Sequence, residues 1–155
     1  MIDIGDKAPD FNLPASGETA QLSLADAKGP LVLFFYPRDD TPGCTKEAIA
    51  FTGMEADFAA LGVTIWGISA DSVASHEKFA AKHALSMPLL SDEDNAVCEA
   101  FGVWKEKNMY GKKFFGIERA TFLINADGTI AQAWRKVKVP GHAEAVLEAA
   151  KALSA

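Results

Sequence analysis

The chain has 155 residues, 49% of them hydrophobic and 23% charged, and carries a formal net charge of -6. That is enough for one domain over residues 1–155 with its own core and no disulfide staples, and it excludes a disordered chain. An acidic surplus argues against a general nucleic-acid binder, whose phosphate contacts call for a basic face. The opening Met1 to Asp6 has neither a basic run nor an apolar core, and no stretch approaches membrane-spanning length. No secretory signal or membrane association is expected, and the cytoplasm is the expected location. In chain order, the first strong element is Leu31 to Tyr36, apolar throughout and closed by Pro37, as a central strand covered on both faces would be. After Pro42 and Gly43, the residues Phe51, Met54, Phe58 and Leu61 recur at helical spacing, which predicts one helix from about Cys44 to Leu61. Val63 to Ser69 reads as a second buried strand. Asp71 and Ser72 cap a helix through His76, Ala80 and His83, and Ser91 to Asp94 lead a short helix through Val97, Cys98 and Phe101. Ala120 to Ile124 and Thr129 to Val137 flank an Asp127-Gly128 turn and predict a hairpin, followed by a closing helix with Val146, Leu147 and Ala150 on one face.

This order predicts an α/β fold with a thioredoxin-like central mixed sheet flanked by helices. Two cysteines, Cys44 and Cys98, are too few for a disulfide framework or a zinc cluster. In a reducing compartment each is either buried filler or reactive.

Cys44 stands where a strand hands over to a helix, in Phe35-Tyr36-Pro37-Arg38-Asp39-Asp40-Thr41-Pro42-Gly43-Cys44-Thr45. Free backbone N–H groups and the positive end of the helix dipole favour a thiolate there. Ionisation alone is a limited gain. An unperturbed thiol is about 3% ionised at pH 7, so complete ionisation raises the reactive population only about 30-fold. Fast reaction with a peroxide also needs the two oxygens held in line with the sulfur and the charge on the leaving oxygen stabilised. Thr41 and an arginine are suitable donors for that purpose.

Pro37, Thr41 and Cys44 form a Pro-x-x-x-Thr-x-x-Cys pattern that resembles the active-site motif of the peroxiredoxins. Phe35-Tyr36, Thr45-Lys46-Glu47, Glu106 to Lys112 and Gly116 to Phe122 resemble the bacterioferritin comigratory protein branch, also called peroxiredoxin Q. The resemblance covers almost the whole chain. It implies a thiol-dependent peroxidase for hydrogen peroxide and organic hydroperoxides, acting in antioxidant defence as a monomer. It further implies that Cys44 is the peroxidatic nucleophile, that Thr41 hydrogen-bonds the peroxide, that Pro37 shields the sulfenate and that Arg119 polarises thiolate and peroxide. Tyr36 and Glu47 fit positions near the site without a necessary chemical role. No metal or other cofactor is implied.

The sequence departs from that branch in its second cysteine. Most members resolve the sulfenic acid with a cysteine five positions further along the helix, where this chain has Ile49. Others place it in the next helix, but His76 to Lys82 contain none. Cys98 remains, and to resolve Cys44 its α-carbon would have to come within about 6 Å, which requires local unfolding of a helix. Two readings therefore stand: Cys98 resolves Cys44, or Cys98 is core and an external thiol (glutathione, a glutaredoxin or a thioredoxin) does so.

Other classes have less support. A disulfide reductase would need a Cys-x-x-Cys pair, and a cysteine hydrolase would need Cys44 to pair with a histidine such as His142. A redox-sensing interaction protein would react slowly with peroxide. His76, His83 and His142 read as solvated or satisfied, the acids at Asp39-Asp40 and Asp92 to Asp94 as caps, and Trp66, Trp104 and Trp134 as core or pocket wall.

Overall fold

The structure, a computed structural model, describes residues 2–154, the side chain of Ser154 excepted. Its elements run β1 (Asn12–Pro14), β2 (Gln21–Ser23), a short 3-10 turn (Leu24–Asp26), β3 (Leu31–Phe35), α1 (Pro42–Gly53), α2 (Glu55–Ala60), β4 (Thr64–Ser69) and α3 (Val73–His83). The second half runs β5 (Leu89–Ser91), α4 (Ala96–Ala100), β6 (Trp104–Met109), β7 (Lys112–Ile117), β8 (Ala120–Ile124), β9 (Ile130–Arg135) and α5 (His142–Ser154). The central sheet has the order β5-β4-β3-β8-β9, with β3, β4 and β5 parallel and β8 antiparallel to both β3 and β9. This is the thioredoxin-like mixed sheet expected from the sequence.

The middle strand explains why the sheet stands where it does. Every residue from Leu31 to Tyr36 is at most 1% exposed. Leu31, Leu33 and Phe35 point into a core with Trp66, Phe101 and Phe122, while Val32, Phe34 and Tyr36 point into another with Phe51, Phe58 and Phe79. The period-2 alternation of a strand thus feeds two cores on opposite faces of the sheet. Each large side chain contributes on the order of 1.5–3 kcal/mol by leaving water, so the strand is a firm anchor for the loop that follows it.

The structure corrects the sequence reading in several places. The helix expected from Cys44 to Leu61 is two helices, α1 and α2, because after Gly53 the backbone of Met54 leaves the helical region at φ -107° and ψ 4°. Glycine costs about 1 kcal/mol relative to alanine inside a helix, which makes it a natural break point. Ser91 belongs to β5 rather than to a helix cap, and α4 starts at Ala96. Strands β1, β2, β5, β6 and β7 were not expected. The β6–β7 hairpin turns on Tyr110 and Gly111, both at positive φ (53° and 77°), as a two-residue hairpin loop requires.

The acids at Asp39-Asp40 are not helix caps. Asp39 is buried, and its carboxylate accepts hydrogen bonds from Tyr36 Oη (2.6 Å), Ser75 Oγ (2.8 Å) and His76 Nδ1 (2.7 Å). The Asp39 N–H donates to Asp71 Oδ2, and His76 Nε2 donates to the Leu90 carbonyl. This network ties the loop after β3 to α3. Asp40 pairs with Lys82 and His83 at the surface, where such bridges add little. Asp92 does act as a cap, accepting from the N–H groups of Val97 and Cys98.

Candidate active site

The fully buried β3 delivers the chain to Pro37, and the Asp39 network holds the next residues against α3. Thr41 is the extended N-cap of α1 and Pro42 its first helical residue, a position that needs no amide proton. The first helical bond runs from Thr45 N–H to the Thr41 carbonyl at 2.8 Å. Cys44 lies inside this first turn and is 2% exposed. The helix start therefore presents free N–H groups and its positive dipole end beside the sulfur.

A second element supplies the cation. Arg119 sits between β7 and β8, its carbonyl held by the Val137 N–H at 3.0 Å. The guanidinium divides between two acids, with Nη2 donating to Cys44 Sγ at 3.3 Å and Nη1 donating to Glu47 Oε1 at 2.7 Å. It crosses directly over Gly43, where an added Cβ would lie 3.1 Å from Nη2. Glu47 is one turn along α1 from Cys44 and 1% exposed, and its second oxygen has no hydrogen-bond partner. Burial pushes its carboxyl up to about 7 against the opposing pull of Arg119. Cys44 and Glu47 thus compete for one guanidinium.

Thr41 sits at the expected place, at the start of α1. Its hydroxyl donates to the Arg38 carbonyl at 2.9 Å, which commits its proton and leaves the oxygen as an acceptor for an incoming O–H. Pro37 is half-buried between β3 and α1.

Cys98 lies elsewhere. It is 0% exposed in the core with Phe35, Phe101 and Phe122, whereas Cys44 belongs to the core on the opposite face of the sheet. Burial first, and Asp92 second, push its thiol well above the usual range. His142 hydrogen-bonds Thr121 Oγ1 at 2.7 Å, and its imidazole is held down to about 4, chiefly by burial and then by Arg119. It is not placed as a base for Cys44. Trp66 is core, while Trp104 is half-buried and stacks on Phe115. Asp39, Asp71 and His76 bring ligand-type atoms within 4.8 Å of one another. Asp39 Oδ2 accepts from His76 Nδ1 and Ser75 Oγ, and Asp71 Oδ2 accepts from the Asp39 N–H and Ser69 Oγ.

The roles of Glu47 and Asp39 were the least visible in the sequence. The spacing of Cys44 and Glu47 puts them on one face of a helix, which is the signal that could have linked Glu47 to the arginine. Nothing local pairs Asp39 with His76.

Residues 4–133 match the AhpC/TSA family. Peroxiredoxin Bcp of Xanthomonas campestris is 53% identical over 94% of this chain and 92% of its own. Peroxiredoxin Bcp of Bacillus subtilis is 48% identical over 99% of this chain and 98% of its own. Among solved structures, a cysteine-to-serine mutant of Xylella fastidiosa PrxQ superposes with a TM-score of 0.93 at 44% identity, covering 100% of this chain and 99% of that one. The chain belongs to the AhpC/TSA family and is by class a peroxiredoxin, a thiol-dependent peroxidase. Within that class it falls in the bacterioferritin comigratory protein, or peroxiredoxin Q, branch. Among the described residues no helix is long and apolar enough to cross a membrane.

Proposed function

We propose that this peroxiredoxin works with one cysteine, reducing hydrogen peroxide and organic hydroperoxides at Cys44 and relying on an external thiol to restore it. The observation that carries the reading is the Arg119 Nη2 contact to Cys44 Sγ at a helix start. The thiolate attacks the distal peroxide oxygen, so that an S–O bond forms as the O–O bond breaks. The leaving oxygen departs as water or an alcohol after taking a proton, and Cys44 becomes a sulfenic acid. Arg119 stabilises the sulfur and the developing charge with its rigid fork of donors. Thr41 Oγ1 accepts a hydrogen bond from the O–H of the bound hydroperoxide, and Pro37 shields the sulfenate. One external thiol then condenses with the sulfenic acid to give a mixed disulfide and water, and a second thiol releases Cys44.

External resolution is favoured by three features. Position 49 is an exposed isoleucine, α3 has no cysteine, and Cys98 is packed on the other face of the sheet. Glutathione, a glutaredoxin or a thioredoxin supplies the thiol. The protein is read as a cytoplasmic monomer of one domain, the monomer in line with the peroxiredoxin Q resemblance. A structure of Xanthomonas campestris bacterioferritin comigratory protein, 51% identical to this chain, is described in terms of alkyl peroxide reduction activity, which supports the organic substrates. The test is peroxide consumption with a small-thiol reductant. Cys44→Ser is expected to abolish it and Cys98→Ser to leave most of it, whereas full activity in Cys44→Ser would refute the mechanism.

A further inference from the structure

The β6–β7 hairpin carries a lysine that the peroxide chemistry above does not use. Lys107 pairs across the hairpin with Phe114, so its side chain shares a face with Phe114 and Gly116. The stem lies over Gly116, where a Cβ would be 3.5 Å from both Cδ and Cε. The amine then donates to the carbonyl of Ile117. Ile117 is two residues before Arg119, and this short segment is held at three points. Val103 accepts from the Glu118 N–H at 2.7 Å, Val137 donates to the Arg119 carbonyl at 3.0 Å, and Lys107 holds the Ile117 carbonyl. The first two are backbone bonds, and the third is a side chain reaching in from β6.

We propose that Lys107 is a positioning residue of the Cys44 site: its ammonium, folded over Gly116 onto the Ile117 carbonyl, fixes the segment carrying Arg119 and adds a second positive charge around the sulfur. The inference rests on the peroxidase reading for its biological purpose, but not for its chemistry. The charge arrangement supports it independently. The Lys107 amine is half-buried, and burial first and the Arg119 charge second weaken its hold on its proton, while Cys44 and Glu118 act in the opposite sense. Two cations brought together at partly buried positions repel, and an anion beside them offsets that repulsion. Cys44, once ionised beside Arg119 Nη2, supplies such an anion.

The test uses the full chain with Cys98→Ser, which leaves one thiol, and follows the rate of Cys44 alkylation by iodoacetamide from pH 5 to 10. Lys107→Met keeps the stem and removes the charge and the donor. It is expected to slow alkylation at pH 6 by about three- to tenfold, with little change near pH 10 where the thiol is ionised in every variant. Lys107→Arg, which keeps the charge, is expected to recover most of the loss. Gly116→Val keeps the lysine but displaces its stem, and is expected to reproduce the Lys107→Met profile. If all three profiles coincide with that of the parent and only the thermal midpoint falls, Lys107 merely fastens the hairpin and the proposal is wrong. Alkylation reads the thiolate without any peroxide. A parent protein inert to peroxide would therefore overturn the peroxidase reading while leaving the Lys107 result to stand or fall by itself.

Discussion

Arg119 and Cys44 are 75 residues apart in sequence, yet the guanidinium Nη2 lies 3.3 Å from the sulfur. The two meet because β3 and β8 are antiparallel neighbours, pairing Phe35 with Ala120 at the end of the sheet where β3 runs out and β8 begins. The residue after Phe34-Phe35-Tyr36 and its loop enters α1, and the residue before Ala120 is Arg119. Register, rather than sequence proximity, builds the site.

Arg119→Ala is expected to keep the fold and to slow peroxide reduction by about 10²- to 10³-fold, as for loss of one oxyanion donor. Stopped-flow measurement with hydrogen peroxide checks the rate and circular dichroism checks the fold. An unchanged rate would remove Arg119 from the site.

Gly43→Ala separates helix stability from activity. Alanine favours the helix by up to about 1 kcal/mol relative to glycine, but its methyl would lie 3.1 Å from Arg119 Nη2 and push the guanidinium off its line to the sulfur. The expected result is a melting midpoint no lower than that of the parent, together with a loss of peroxidase rate of about tenfold, the scale of a geometric misplacement. A slower enzyme that is also markedly less stable would point instead to general damage.

The chain order of strands and helices around Cys44 was legible because the relevant residues are all apolar or all at helical spacing. The hairpin around Asp127-Gly128 was legible from its turn. The β6–β7 hairpin was not, since Met109, Tyr110, Phe114 and Phe115 are exposed and Lys107 alternates with polar neighbours, so no buried face marks it as sheet. Cys44, Thr41, Pro37 and Arg119 could be picked out by resemblance, and the structure puts Arg119 on the sulfur. The direction of the Thr41 hydrogen bond, the sharing of Arg119 with Glu47 and the Asp39–His76 link all depend on contacts between distant segments, which no local pattern encodes.

The Glu47 carboxyl gives a pH prediction with a definite sign. Its folded-state value of about 7 lies above an ordinary carboxyl near 4.5. Below about pH 4.5 the group is protonated in both folded and unfolded chains, and its full contribution to stability is present. As pH rises toward 7 the unfolded chain releases the proton first, so the folded state loses stability, on the order of 3 kcal/mol once pH passes the folded value. Glu47→Gln mimics the protonated form and should escape this loss. Urea denaturation is expected to give similar stabilities for parent and variant at pH 4.5 and a more stable variant at pH 8. Parallel stability curves for the two proteins would contradict the assignment.

The most direct measurement is intact-protein mass spectrometry under denaturing conditions after one equivalent of hydrogen peroxide, with a sulfenic-acid trap present, on the parent and on Cys98→Ser. A one-cysteine cycle predicts a single trap adduct on Cys44 in both proteins. Loss of two hydrogen masses from the parent alone, at monomer mass and without adduct, would show Cys44 joined to Cys98 across the sheet and would contradict it.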